Sequence, residues 1–146
     1  MLIYPPFPIK TRKNKNETTE VFDIIRKKWI TLTPEEFVRQ HFIHFLIKEK
    51  KYPKECIIVE KEINVYDVKK RFDVVVLNKH QEILLLTEIK APTVKIDKKV
   101  IEQILIYNTS LQSQFLVITN GLEQHVFEKI DDKWKKIKDI EQFKKT

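Results

Sequence analysis

The stretch RFDVVVLNKHQEILLLTEIKAP, residues 71–92, holds two apolar runs separated by the polar Asn78-Lys79-His80-Gln81. A linker that short joins antiparallel neighbours, so the spacing predicts a hairpin of two strands over 71–78 and 82–90. The second run is apolar on consecutive residues, as expected of an interior strand covered on both faces, and Pro92 ends it. Asp73 lies inside the first run, where a carboxylate without a partner costs several kcal/mol. Glu88 and Lys90 close the second run and share a face, because strand side chains repeat every two residues. With the turn at 78–81, Asp73 falls opposite residues 86 to 88, and two carboxylates and an ammonium meet at one edge of the sheet. A strand-end ion pair is the bland account of such a pattern in a highly charged chain. Its placement on two adjacent apolar strands, with helices before and after, raises the alternative of a built site.

Working outward, LTPEEFVRQHFIHFLIKEKKYP (residues 32–53) has the marks of a helix. Thr33 suits the N-cap and Pro34 the first helical position, while Glu35 and Glu36 favour the positive end of the dipole. Phe37, Val38, Phe42, Phe45 and Leu46 recur at helical spacing, and Tyr52-Pro53 stops the element. CIIVEKEINVY alternates as a strand from Cys56 to Tyr66. Past the hairpin, residues 96–111 read as a second helix with Val100, Ile101, Ile104, Leu105 and Leu111 as its apolar stripe. QFLVIT is a short buried strand, Asn120-Gly121 signals a type I′ turn, and EQHVFEKI is the returning strand. Residues 1–32 read as an extended arm plus a small hairpin or flap, residues 33–130 as the core, and 131–146 as a basic extension, all in one domain. The order is helix, three strands, helix, two strands, an α/β architecture with a mixed sheet.

The 146 residues suffice for one core. A net charge of +7 favours an anionic partner without saying anything about sequence readout. The chain has a single glycine, Gly121. A Walker loop or a dinucleotide fingerprint is therefore impossible, and phosphate must be handled by side chains and metal. The single cysteine, Cys56, allows neither a disulfide framework nor a thiolate cluster, and a reducing, cytoplasmic setting is expected. No apolar run approaches the roughly 20 residues of a membrane span, and the N-terminus lacks the pattern of a secretory signal.

Two carboxylates on neighbouring strands suit Mg²⁺, which prefers oxygen, keeps several waters and is typically held by one or two acids plus substrate phosphate. The carbonyl of Ile89 would add an oxygen, and Lys90 would orient the attacking water and offset developing negative charge.

The pattern Asp73…Glu88-Ile89-Lys90 resembles the signature of the PD-(D/E)XK nuclease superfamily. Together with LTPEEFVRQHFI, RFDVVV, LLLTEIKAP, the Gln103…Tyr107 pair and LVITNG, it is similar to the N-terminal nuclease domain of the restriction subunit of type I restriction enzymes. The likeness runs over residues 33 to 130 and implies a restriction-endonuclease-like αβββαβ core and Mg²⁺-dependent hydrolysis of DNA phosphodiesters, with Mn²⁺ as a substitute. Asp73 and Glu88 would then be metal ligands and Lys90 the catalytic lysine. Gln103 and Tyr107, four apart on one helix face, match an accessory motif that helps position the site and DNA. The first helix would supply a third acid. Glu36 has a sufficient structural reason in a capping box with Thr33, so Glu35, four before Arg39, is preferred and Glu36 remains its competitor. Arg39 would brace that carboxylate or touch a phosphate. Lys95, Lys98 and Lys99 follow the motif and would meet the DNA backbone. Phe72 stands where the signature has proline, a position that varies. The resemblance also implies partners within a restriction system, a helicase or translocase and a methyltransferase.

His41 and His44, three apart, are too few for zinc and are explained by helix packing and exposure. Cys56 reads as an inert strand residue. A non-catalytic DNA-binding or partner-binding module on the same fold is the rival to a nuclease.

Overall fold

A computed structural model of the chain describes residues 1–65 and 67–144. Tyr66, the expected end of the first core strand, and residues 145–146 of the tail lie outside the described residues. The elements in order are β1 (Thr11–Lys13), β2 (Thr19–Asp23), β3 (Lys28–Thr31), α1 (Pro34–Lys48), β4 (Ile57–Val65), β5 (Val68–Leu77), β6 (Ile83–Ile89), α2 (Lys98–Tyr107), β7 (Phe115–Thr119), β8 (Gln124–Ile130) and β9 (Lys133–Ile137). β1, β2 and β3 form a small antiparallel sheet, and β4 to β9 form a six-stranded sheet in sequence order. Every pairing in the larger sheet is antiparallel except β6 with β7, which α2 connects in parallel. From α1 to β7 the order is αβββαβ, as the sequence predicts.

Local chemistry accounts for the helices. The Thr33 hydroxyl accepts the Glu36 N–H at 3.0 Å, and Pro34 sits in the first turn of α1. Only half of the expected capping box forms. The Glu36 carboxylate does not return to the cap but accepts from Arg26, Arg39 and Gln40. The Asp97 carboxylate caps α2 by accepting from the Val100 N–H at 2.9 Å. α2 is shorter than the apolar pattern suggested, and Leu111 is buried after the helix has ended.

The six-stranded sheet separates two apolar layers. On one face Val38, Phe42, Ile43 and Leu46 of α1 pack on Val74, Val76, Leu85, Ile89, Phe115 and Val117. On the other, Ile104 and Leu105 of α2 lie against Phe72, Val75, Leu86 and Leu116. β6 and β7 therefore bury side chains on both faces, which explains their unbroken apolar runs. Ile24 and Ile25 lie in the β2–β3 turn and pack on the α1-side core. β9 pairs with β8 as the edge strand.

The type I′ signal falls elsewhere than predicted. Asn120 is absent from the left-handed residues, and its side chain accepts from the N–H groups of Leu122 and Glu123 to make a longer loop. The two-residue hairpin loop is Asp131-Asp132, with φ of 50° and 62°, between the paired Ile130 and Lys133. No helix among the described residues is long and apolar enough to cross a membrane.

Candidate active site

The β5–β6 ladder runs from Leu77↔Ile83 to Val74↔Thr87 and stops there. The next register position sets Asp73 against Glu88. The ladder is replaced there by a side chain: Asp73 Oδ2 accepts the Ile89 N–H at 2.7 Å. The β4–β5 hairpin continues beyond this point, with Lys61↔Phe72 through Val65↔Val68 still paired. Phe72 and Val75, three residues apart, share one apolar cluster, so β5 twists sharply between them. Across from Asp73, Glu60 adopts a left-handed φ of 56° in the middle of β4. Backbone strain of this kind in a non-glycine residue is held in place by its surroundings. Here it turns the Glu60 carboxylate toward two guanidiniums.

Those guanidiniums organise the site. Arg39 Nη2 bonds both Glu35 Oε1, at 2.8 Å, and Asp73 Oδ1, at 3.1 Å. Its Nη1 takes Glu36 at 3.0 Å and Glu60 at 3.4 Å. Arg26, in the β2–β3 turn, spans Asp23 at 2.6 Å, Glu60 at 3.1 Å and Glu36 at 3.2 Å. Five carboxylates thus share two guanidiniums. The excess is negative in a chain whose net charge is +7. Burial pushes the Asp73 carboxyl up to about 6, although the Ile89 N–H and then Arg39 oppose it; Glu35 and Glu88 add to the rise. Burial also disfavours the Asp23 charge, but the Arg26 N–H and guanidinium and the Ile25 N–H hold that carboxyl below the usual range.

Glu88 is met by a residue that sequence reasoning missed. Lys70, from the part of β5 that runs past β6, places Nζ 2.5 Å from Glu88 Oε1. The same ammonium lies 4.1 Å from the Tyr107 ring centroid and 5.2 Å from that of Phe72. Tyr107 is therefore linked to Glu88 through Lys70, while Gln103 is exposed on α2. Lys90 is half-buried, and its N–H donates to the Thr119 carbonyl at 2.8 Å, which fixes it at the β6–β7 junction. Among the described residues no carboxylate stands within ion-pair distance of Lys90 Nζ. Lys95, Lys98 and Lys99 are exposed. Of the two roles expected of Arg39, the geometry displays the bracing one: its side chain is only 5% exposed and is bonded to carboxylates. Glu36, the competitor of Glu35, shares Arg39 with it, and Glu60 joins the network unforeseen. A signal for Lys70 existed in its position three before Asp73, but only for a strand begun at Val68.

The donor set can be tested for a metal. The acids around Asp73 and Glu88 are oxygen donors without a nearby histidine or thiolate, and among the described residues no three His, Cys, Asp or Glu side chains form a ready ligand group. Glu35 is held by Arg39 and does not complete a three-acid cluster. Two carboxylates amid surplus negative charge match in donor chemistry a hard ion of the Mg²⁺ type.

A family model described as Type I restriction enzyme R protein N terminus (HSDR_N) matches residues 34–143. A search of curated proteins finds no match. Among solved structures, a DUF820 protein from Anabaena variabilis ATCC 29413, described as a candidate nuclease, is 12% identical with a TM-score of 0.41, over 80% of this chain and 79% of that one. The matched span contains α1, the opened β5–β6 ladder, α2 and all of the acids around Asp73 except Asp23. The chain belongs to the family of type I restriction enzyme R protein N termini.

Proposed function

We propose that the chain hydrolyses DNA phosphodiester bonds with a divalent metal, Mg²⁺ or, as a substitute, Mn²⁺. Asp73, Glu88 and the Ile89 carbonyl would hold the ion, with Glu35 set beside them by Arg39. When bound, such an ion polarises a phosphoryl oxygen and lowers the pKa of a coordinated water. Lys90, the residue that follows the end of β6, orients the attacking water and offsets the charge that builds on the phosphate. Arg39 keeps Asp73 in one orientation through a side chain that is itself immobilised. Tyr107 positions Lys70, and Gln103 lies one turn before it on the exposed face of α2. Lys95, Lys98 and Lys99 supply backbone contacts that position the duplex without reading its sequence.

The observation that carries this reading is the break in the β5–β6 ladder, where the Asp73 carboxylate takes the place of a backbone acceptor opposite Glu88. The test is conversion of supercoiled plasmid in Mg²⁺ or Mn²⁺. The wild type should nick; Asp73→Asn, Glu88→Gln and Lys90→Met should each lose at least about 100-fold, as expected for a group acting on charge in the transition state. Equal nicking by all four proteins would refute the assignment.

One observation favours the rival reading. Glu88 is already ion-paired to Lys70, and a lysine that does not yield would leave a DNA-binding module without cleavage. In that case no metal concentration gives nicking by the wild type, and Lys70→Met, which frees the Glu88 carboxylate, gains metal affinity. Within a restriction system the domain would work beside a helicase or translocase and a methyltransferase, which co-purification from the native host tests.

A further inference from the structure

The small sheet β1–β2–β3 is not accounted for by the metal-site chemistry. Its registers put Val21 and Asp23 on the inner face, both fully buried, and Phe22, Trp29, Arg12 and Glu20 on the outer one. On that outer face Phe22 and Trp29 meet edge to face, with centroids 5.4 Å apart. Arg12 lies 4.2 Å from the Trp29 centroid, and Lys10 lies 5.7 Å from both rings. Glu20 holds Arg12 Nε at 2.8 Å from its other side. Cations stand over both rings, so the rings serve as seats for charge. Lys10, Arg12, Lys13, Lys15, Lys27 and Lys28 are exposed on this sheet and its turns, against Glu17 and the half-buried Glu20. The sheet is also tied to the candidate site. Arg26 in its β2–β3 turn bonds Glu60 and Glu36, which share Arg39 with Asp73. β3 then leads into α1 through Leu32 and Thr33.

We infer that the outer face of β1–β2–β3 is a clamp for the phosphate backbone of duplex DNA, with Lys10 and Arg12 seated on Phe22 and Trp29 as its fixed contacts. The inference rests on DNA being the substrate proposed above. Surplus exposed positive charge complements a polyanion. Cations held by rings and by Glu20 lose less side-chain freedom on meeting phosphate than free lysines do. The Arg26 bridge fixes the distance between this clamp and the carboxylates, so DNA lying on the sheet is carried to Asp73 at a set offset.

Binding of a short duplex is measured by fluorescence anisotropy in EDTA from 50 to 300 mM NaCl (about 0.05–0.3 M, where counterion release dominates the salt dependence), so that cleavage plays no part. The wild type should bind with a steep salt slope. Lys10→Gln/Arg12→Gln should reduce that slope by about two, close to one for each phosphate no longer engaged. Trp29→Leu keeps both charges and should weaken binding about 2- to 5-fold with the slope retained. The control pair Lys133→Gln/Lys135→Gln, on the far edge strand, should leave the slope within about half a unit. An unchanged slope in the Lys10/Arg12 variant, in a protein that still binds and nicks, overturns the clamp while sparing the nuclease reading, and points to a protein partner for this face. Clamp-dependent binding without nicking does the reverse. Absence of any binding by the wild type in EDTA overturns the clamp, and the nuclease reading then stands or falls on the plasmid assay.

Discussion

Asp73 and His44 titrate in opposite senses, and together they shape the acid response of the fold. Burial leaves the Asp73 carboxyl at about 6 against an ordinary 3.8. The folded state therefore takes up its proton first; this stabilisation is complete below pH 4 and is lost as pH rises through 6. His44, stacked on Phe7 with centroids 3.4 Å apart, is pushed from 6.5 to about 4, by burial first and then by His41 and Lys48. Its neutral form contributes stability above the unfolded value, which is lost as pH falls through 4. Each shift is worth on the order of 2–3 kcal/mol, and between pH 4 and 6 they nearly cancel. Asp73→Asn removes the carboxylate's charge but keeps an acceptor for the Ile89 N–H. In EDTA at pH 7.5 its melting temperature should rise by several degrees, the direction expected for roughly 1–2 kcal/mol. Between pH 6.5 and 4 it should lose stability where the wild type stays level. Thermal melts across that range decide the matter, and a variant less stable than wild type at pH 7.5 would contradict this account of the site's charge.

Among the elements, those whose signals are local were legible. The hairpin over 71–92 followed from two apolar runs and a four-residue linker, and α1 from Thr33, Pro34 and its apolar spacing. β9 was not legible, because KWKKI alternates poorly: Trp134 and Ile137 are half-buried while the lysines are exposed. The turn assignment failed because Asn120 spends its side chain on Leu122 and Glu123, which needs no left-handed backbone, whereas Asp131-Asp132 adopts one without glycine. In the site, Asp73 and Glu88 could be paired from strand period alone. Lys70 could not, since its contact depends on the twist at Asp73 and on strain at Glu60, and the Arg26 bridges join segments far apart in sequence. The strained turn yields a test confined to one element. Asp131→Asn/Asp132→Gly installs the pair that type I′ geometry favours and should add about 0.5–1 kcal/mol. Urea midpoints should rise with an unchanged denaturant slope, and plasmid nicking should stay at the wild-type rate. A lower midpoint would show that the aspartates are not strained there.

At the scale of the molecule, the position of the acids depends on how both ends of the chain hold α1 against the sheet. The Ile3 N–H donates to the Gly121 carbonyl at 2.7 Å, and the Tyr4 hydroxyl bonds Thr119 and Gln124, each at 2.8 Å. Tyr4 also meets Phe42 of α1 edge to face at 5.6 Å. From the other end, the Phe143 N–H donates to the Lys50 carbonyl and the Tyr52 hydroxyl to the Glu141 carbonyl, both at 2.8 Å. Gly121 is where the N-terminal arm, α1 and the β7–β8 loop meet. Its φ is 84°, and a Cβ there would stand 2.7 Å from Leu2 Cδ2 and 3.1 Å from Val38 Cγ2. Gly121→Ala therefore combines left-handed strain with overpacking, for a loss of roughly 2–4 kcal/mol, and the melting temperature should fall by roughly 5–12 °C. The steric part is shared with Leu2, whereas the backbone part is not. In a Leu2→Ala background the same substitution should cost at least about 1 kcal/mol less, because the closest neighbour is gone while the φ strain remains. A double-mutant cycle by urea unfolding separates the two. Additivity within about 0.5 kcal/mol would mean that the arm does not press on the loop, and that α1, with Glu35 and Arg39, is held in place without it.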